Sequence, residues 1–80
     1  MTEADIYSAL TEIFREVFVD DDLVLRPDLT AHDVPGWDSY KQIDILFATE
    51  ERFSLKFTSA EINSLKCVGD LASLVASKTG

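Results

Sequence analysis

The stretch GWDSYKQIDILFATEERF, residues 36–53, decides the fold. Asp38 is a favoured N-cap residue and follows a Pro-Gly break, so we expect a helix that begins at Asp38 or Ser39 and runs to about Phe53. With a helical rotation of about 100° per residue, the apolar side chains of this helix, together with Thr49, form two stripes. One stripe contains Ile45, Leu46, Thr49 and Phe53, and the other contains Tyr40, Ile43 and Phe47. A surface helix in a small bundle needs only one apolar stripe, so the second is either additional core or a docking face.

Upstream, residues 3–18 have a single apolar stripe and predict the first helix. Thr2 and Asp5 approximate a capping box at its start. The stripe consists of Ile6, Leu10, Ile13, Phe14 and Val17.

Residues 19–37 show no sustained periodicity and contain both prolines, so they predict a long loop. Four of its apolar side chains are spaced well enough to pin it to the core, namely Leu23, Leu25, Leu29 and Val34. The acids of the run 20–22 are consecutive, whereas an EF-hand loop alternates them. A solvated turn is therefore favoured over loose binding of a divalent cation, and no metal site is predicted.

Downstream, Thr58 and Glu61 form a capping-box pattern that opens a short helix of one or two turns. The last helix is expected from about Val68 to Lys78, and its inward side chains are Val68, Leu71, Leu74 and Val75. The predicted fold is all-α. It is a single domain over residues 1–80, a small bundle of three main helices and one short helix with a long first loop.

Composition limits the possible partners of this domain. The 80 residues include 7 bases and 15 acids, so the formal net charge is 7 − 15 = −8. That charge argues against nucleic acid or an anionic membrane as a partner and favours basic protein surfaces. A single cysteine, Cys67, excludes an intrachain disulfide and a cysteine zinc site. No apolar run approaches the roughly 18 residues of a membrane span, and no signal-peptide pattern is present, so we expect a reduced, cytoplasmic monomer.

The sequence offers little for catalysis. The only histidine, His32, lies seven residues before Ser39, and the surroundings of Ser39 do not form a nucleophile elbow. We interpret His32 as a solvated loop residue and expect no catalytic site. The place of Ser39 at a helix N-terminus suits a covalently attached phosphate, because unpaired N–H groups and the positive dipole end lie there. The alternative is that Ser39 only caps the helix together with Asp38.

Two segments of the chain resemble the acyl carrier proteins. Residues 36–40, Gly-Trp-Asp-Ser-Tyr, followed by the helix that ends in Glu-Glu-Arg-Phe, resemble that family's Asp-Ser-Leu/Ile motif and second helix. Residues 67–71, Cys-Val-Gly-Asp-Leu, look like the family's Thr-Val-Gly-Asp-Leu segment. The order of the helices agrees over nearly the whole chain, so the resemblance implies a four-helix acyl-carrier-like bundle.

The resemblance also implies a function. A separate phosphopantetheinyl transferase, using coenzyme A and Mg²⁺, would attach 4′-phosphopantetheine to Ser39, and Asp38 would contribute to the magnesium site of that encounter. The terminal thiol would hold acyl groups as thioesters for the acyl-loading and acyl-processing enzymes of fatty-acid, polyketide or related biosynthesis. The protein itself would be a carrier and not an enzyme.

Two further sets of residues follow from the resemblance. The expected partner-binding surface, which would meet basic docking patches, contains Tyr40, Ile43, Asp44, Phe47, Glu50 and Glu51. The expected lining of an acyl cavity between the helices contains Leu46, Phe57, Ile62, Leu65 and Leu71.

Three residues depart from the family pattern. Tyr40 stands where Leu or Ile is usual, and Cys67 stands where Thr would cap the last helix, which predicts a weaker cap. Trp37 replaces a commonly small or aliphatic residue, and we interpret it as a loop anchor packed against the core in preference to a ligand contact. Two other functions stay open at this point: a peptidyl or aminoacyl carrier, and a helical interaction module without a prosthetic group. The boundaries of the chain favour a stand-alone carrier over a part of a multidomain synthase.

Overall fold

A computed structural model describes residues 2–79, and Met1 and Gly80, the ends of the predicted domain 1–80, lie outside the described residues. The described part contains four helices and no strand, which confirms the all-α prediction. The helices are α1 (Glu3–Phe18), α2 (Ser39–Phe53), α3 (Ser59–Ser64) and α4 (Val68–Thr79). None of these helices is both long enough and apolar enough to pass through a membrane.

Side-chain caps fix where the helices begin. The Thr2 hydroxyl accepts from the Asp5 N–H over 3.2 Å, and the Asp5 carboxylate accepts from the Thr2 N–H over 3.1 Å. The same reciprocal pair joins Thr58 and Glu61 at the start of α3. Both predicted capping boxes are therefore confirmed, and each pair satisfies two N–H groups that the helix alone leaves without partners.

The core lies where α1 packs against both α2 and α4. Phe14 is fully buried in this core, as is Leu10 one turn earlier. Val17 was expected in the same stripe but is only half-buried at the edge. The other helix residues of the core are Ile6, Ile13, Ile45, Leu46, Val68, Leu71, Ala72 and Val75.

The loop between α1 and α2 is attached to the fold by side chains and by backbone. Leu29 and Val34 are buried, as the sequence predicted. The carbonyl oxygens of Leu29 and Pro27 accept from the N–H groups of Val68 (2.9 Å) and Gly69 (2.8 Å). The loop thus supplies acceptors to the first turn of α4, where we had expected only a weak cap from a cysteine.

Candidate functional site

A tight turn connects the loop to α2. Gly36 has a φ of +84°, and the N–H of Trp37 donates to the carbonyl oxygen of Val34 over 3.2 Å. Proline at the second position and a positive-φ glycine at the third are typical of a type II turn. The turn places Trp37 and the residues that follow it at the start of α2.

Asp38 is the N-cap of α2, and its carboxylate accepts from the N–H of Lys41 over 3.0 Å. Ser39 is the first residue of the helix, is exposed, and its hydroxyl forms no hydrogen bond with the residues that the structure describes. Because Asp38 performs the capping, the Ser39 hydroxyl is not needed for it. The hydroxyl lies beside the positive end of the helix dipole, which favours a negative group by about 0.3–1 kcal/mol.

Trp37 is held from two sides. Its ring contacts Phe14 edge-on, with centroids 5.3 Å apart and an interplanar angle of 82°, and it also contacts Phe18 at 6.1 Å. On the other side, its Nε1–H donates to Oε1 of Gln42 over 2.8 Å. These contacts agree with the interpretation of Trp37 as a loop anchor. Gln42 was not predicted from the sequence, although a partly buried indole N–H needs an acceptor nearby and Gln42 is close in the chain.

The second apolar stripe of α2 lies on the surface. Tyr40 is 79 % exposed, Ile43 50 % and Phe47 63 %, so these three side chains do not form additional core. Asp44 and Glu51 are exposed on the same helix. We call these five residues the α2 face. An exposed apolar patch edged by acids is suited to docking a basic protein surface.

The basic residues of α2 point toward α1 instead. Lys41 Nζ donates to the carbonyl oxygen of Val17 over 3.1 Å, and Arg52 pairs with Glu12 over 2.7 Å. Both side chains are therefore engaged on the α1 side of the helix, and the α2 face keeps its negative character.

Glu50 differs from the other predicted docking residues. It is half-buried, and its carboxylate accepts from the N–H of Phe57 over 2.8 Å. Glu50 therefore fastens the segment between α2 and α3, and its carboxylate is less available to a partner than that of Glu51.

The predicted cavity residues are divided between two grooves. The Ser39 groove has a volume of about 490 Å³ and is lined by Ser39, Gln42, Ile43, Leu65 and Leu71, together with parts of the loop and the start of α4. The inner groove has about 200 Å³ and is open to the surface at the exposed side chains of Ile43 and Phe47; its lining also contains Gln42, Leu46, Glu50 and Ile62.

Two consequences follow for the cavity prediction. Leu65 and Leu71 line the first groove and Leu46 and Ile62 line the second, so the predicted residues do not share one cavity. Phe57 lines neither groove and packs against the core.

The remaining candidates for chemistry are isolated. No three side chains of the metal-ligating types come together within residues 2–79. In the acid run, the Asp20 carboxylate accepts from the N–H of Asp22 over 3.0 Å, which is a local turn. His32 is exposed on the loop, and Cys67 is half-buried in the wall of the Ser39 groove.

Comparison with known proteins shows that the chain is similar to acyl carrier proteins. The chain is 28% identical over 79 residues to a protein named acyl carrier protein from Acidothermus cellulolyticus. This alignment covers 99% of this chain and 94% of that protein. It also matches the solution NMR structure of a holo acyl carrier protein from Geobacter metallireducens, with a TM-score of 0.86, 42% identity, and coverage of 91% of this chain and 84% of that one. No protein-family model matches the chain.

Proposed function

The chain belongs to the acyl carrier protein family, and from that premise we propose that Ser39 is the residue that carries its 4′-phosphopantetheine. The observation that carries the proposal is the place of Ser39: its hydroxyl is exposed at the first position of α2, and Asp38 has already taken over the cap. The protein is a carrier that works with partner enzymes and is not itself an enzyme.

The residues around Ser39 fit the group. An exposed hydroxyl is the atom that a phosphodiester requires, and the N-terminal end of α2 offers a favourable potential for its charge. The Ser39 groove begins beside the same residue and is lined mainly by apolar side chains. When bound, 4′-phosphopantetheine supplies the terminal thiol that holds an acyl group as a thioester.

We assign the α2 face to partner docking. Tyr40, Ile43 and Phe47 supply exposed apolar area, and Asp44 and Glu51 supply charge that steers a basic partner. Steering raises the association rate more than the affinity, which suits a carrier that must release each enzyme quickly. A phosphopantetheinyl transferase and acyl-processing enzymes with basic docking surfaces are the predicted partners, and the role of Asp38 at the transferase's magnesium ion is predicted with them.

The biosynthetic pathway, the cellular location and the oligomeric state of the protein stay predictions. Fatty-acid, polyketide and related biosynthesis all fit a carrier of this kind. We predict that the protein is a cytoplasmic monomer. The two similar proteins described above are acyl carrier proteins by name, which favours this role over a peptidyl carrier or an interaction module without a prosthetic group.

Intact-mass spectrometry tests the assignment of Ser39. The protein is incubated with coenzyme A, Mg²⁺ and a broad-specificity phosphopantetheinyl transferase, and we expect the gain of one phosphopantetheine. Ser39→Ala should abolish the gain.

Ser59 provides a matched control. It is also exposed, follows a capping residue and is the first residue of a helix, α3. Ser59→Ala should load like the unaltered protein. Loading of Ser39→Ala, or no loading of the unaltered protein by several transferases, would refute the assignment.

A further inference from the structure

The carboxamide of Gln42 stands where the two grooves meet. Gln42 and Ile43 line both the Ser39 groove and the inner groove, so these two residues form the rim that the grooves share. An acyl group that extended from the Ser39 groove into the inner groove would pass along these two residues. Gln42 is the polar residue of the two.

Trp37 determines how that carboxamide is oriented. An indole N–H is only a donor, so the 2.8 Å contact requires the oxygen of Gln42, and not its nitrogen, to face Trp37. The indole cannot move freely, because Phe14 and Phe18 contact its ring. The NH₂ group of Gln42 is thereby turned away from Trp37, and it donates no hydrogen bond to any residue from 2 to 79.

We propose that the Trp37–Gln42 pair is a specificity-determining element that favours acyl groups with a hydrogen-bond-accepting oxygen, such as a keto or hydroxyl group near the thioester, over saturated chains. The proposal rests on the proposed function, because it concerns the acyl group held from Ser39. Without an acyl group, water satisfies the half-exposed NH₂ group. A saturated chain that displaces this water leaves the donor unpaired, whereas an oxygenated chain accepts its hydrogen bond.

Nuclear magnetic resonance provides a direct test, because the chain contains one tryptophan and one glutamine. Trp37 therefore gives one indole N–H signal, and the NH₂ pair of Gln42 has to be distinguished only from that of Asn63. The protein is loaded at Ser39 with either an octanoyl or a 3-oxooctanoyl group. We expect the 3-oxooctanoyl form to move the Gln42 NH₂ signals downfield and to have the higher melting temperature, with smaller changes in the octanoyl form.

Two variants separate the pair from general packing. Trp37→Phe keeps an aromatic ring against Phe14 but cannot donate to Gln42, so it should weaken the preference. Gln42→Leu should reverse it, because leucine presents only apolar surface to the chain. Equal responses to the two acyl groups in the unaltered protein, or an unchanged preference in both variants, would overturn the proposal.

A second arm does not depend on Ser39. The unmodified protein is titrated with the octanoyl and 3-oxooctanoyl thioesters of N-acetylcysteamine. We expect the oxygenated thioester to bind about 3- to 10-fold more tightly, as one added hydrogen bond would give. If loading fails but this preference is present, the assignment of Ser39 is wrong and the role of the pair stands. If loading succeeds and the preference is absent in both arms, the assignment of Ser39 stands and the proposed role of the Trp37–Gln42 pair is wrong.

Discussion

The backbone N–H of Gly69 donates to the carbonyl oxygen of Pro27 over 2.8 Å, and a Cβ atom on Gly69 would lie only 2.7 Å from that same oxygen. The first turn of α4 therefore lies directly against the loop that leads to Ser39. Only a residue without a side chain permits this approach, and the neighbouring atom belongs to the backbone and cannot rotate away.

We predict that Gly69→Ala destabilises the fold by about 1–2 kcal/mol, because the overlap and the strained hydrogen bond outweigh the gain in helix propensity. Chemical denaturation with circular dichroism measures the change. Ser73→Ala, exposed one turn further along α4, is the control and should stay within about 0.5 kcal/mol of the unaltered protein. A Gly69→Ala protein that is as stable as the control would show that the loop and α4 separate easily.

The helices could be predicted because their signals are local. The capping pairs of α1 and α3 and the N-cap of α2 are each encoded within four residues, and the apolar spacing marks the buried side of each long helix. The attachment of the loop to α4 could not be predicted. It is made by backbone carbonyl groups, which every residue possesses, and their pairing depends on where the loop lies in three dimensions.

The site was predicted only in part for a similar reason. The place of Ser39 and Asp38 at a helix start followed from the sequence, but their functional assignment came from the family resemblance. The second stripe of α2 was found from its spacing, which left open whether it is core or surface. The engagement of Glu50 with the Phe57 N–H and the contact of Lys41 with α1 depend on side-chain directions that helical spacing does not specify. The division of the cavity residues between two grooves also depends on packing between helices.

Asp38 has two proposed roles that a pair of variants separates. Its carboxylate caps α2, and the family resemblance gives it a part in the transferase's magnesium site. Asp38→Asn preserves the cap, because Asn and Asp cap almost equally well, whereas Asp38→Ala costs about 1 kcal/mol of stability. We expect both variants to be loaded more slowly by the transferase, with the melting temperature lowered only in Asp38→Ala. Loading of Asp38→Asn at the unaltered rate would limit Asp38 to capping.

The α2 face should determine how fast a partner recognises the carrier. We predict that Phe47→Ala lowers kcat/KM for transferase loading about fivefold or more, since a large exposed aromatic is typical of an interface anchor. Val24→Ala is the control, because Val24 is 65 % exposed but lies on the loop. Circular dichroism should show unchanged helicity in both. Equal losses in the two variants would contradict a specific role of the face.

The charge of the same face is tested separately. Glu51→Lys should slow loading at low salt, and the effect should shrink as salt is added, because added ions screen exposed charges. Asp21→Lys makes the same change in net charge on the loop and should have little effect. If Asp21→Lys slows loading as much as Glu51→Lys, net charge and not the α2 face controls association.

The carboxylate of Glu61 makes part of the stability depend on pH. The Thr58 N–H donates to it over 2.8 Å and Lys78 lies 3.0 Å away, and these two interactions lower the pKa of Glu61 below its ordinary value. The folded form therefore binds the proton more weakly than the unfolded chain. The stabilisation is fully present above the ordinary glutamate pKa of about 4.3 and is lost as the pH falls through the lower pKa of the folded state. We predict that the unaltered protein melts at a higher temperature than Glu61→Gln at pH 7 and that the difference shrinks as the pH falls below the ordinary glutamate pKa. Melting curves from pH 7 to acid pH measure it, with Asp21→Asn as the control, since Asp21 is exposed on the loop. A difference that persists unchanged at low pH would mean that the Glu61 carboxylate does not stabilise the start of α3 through its charge.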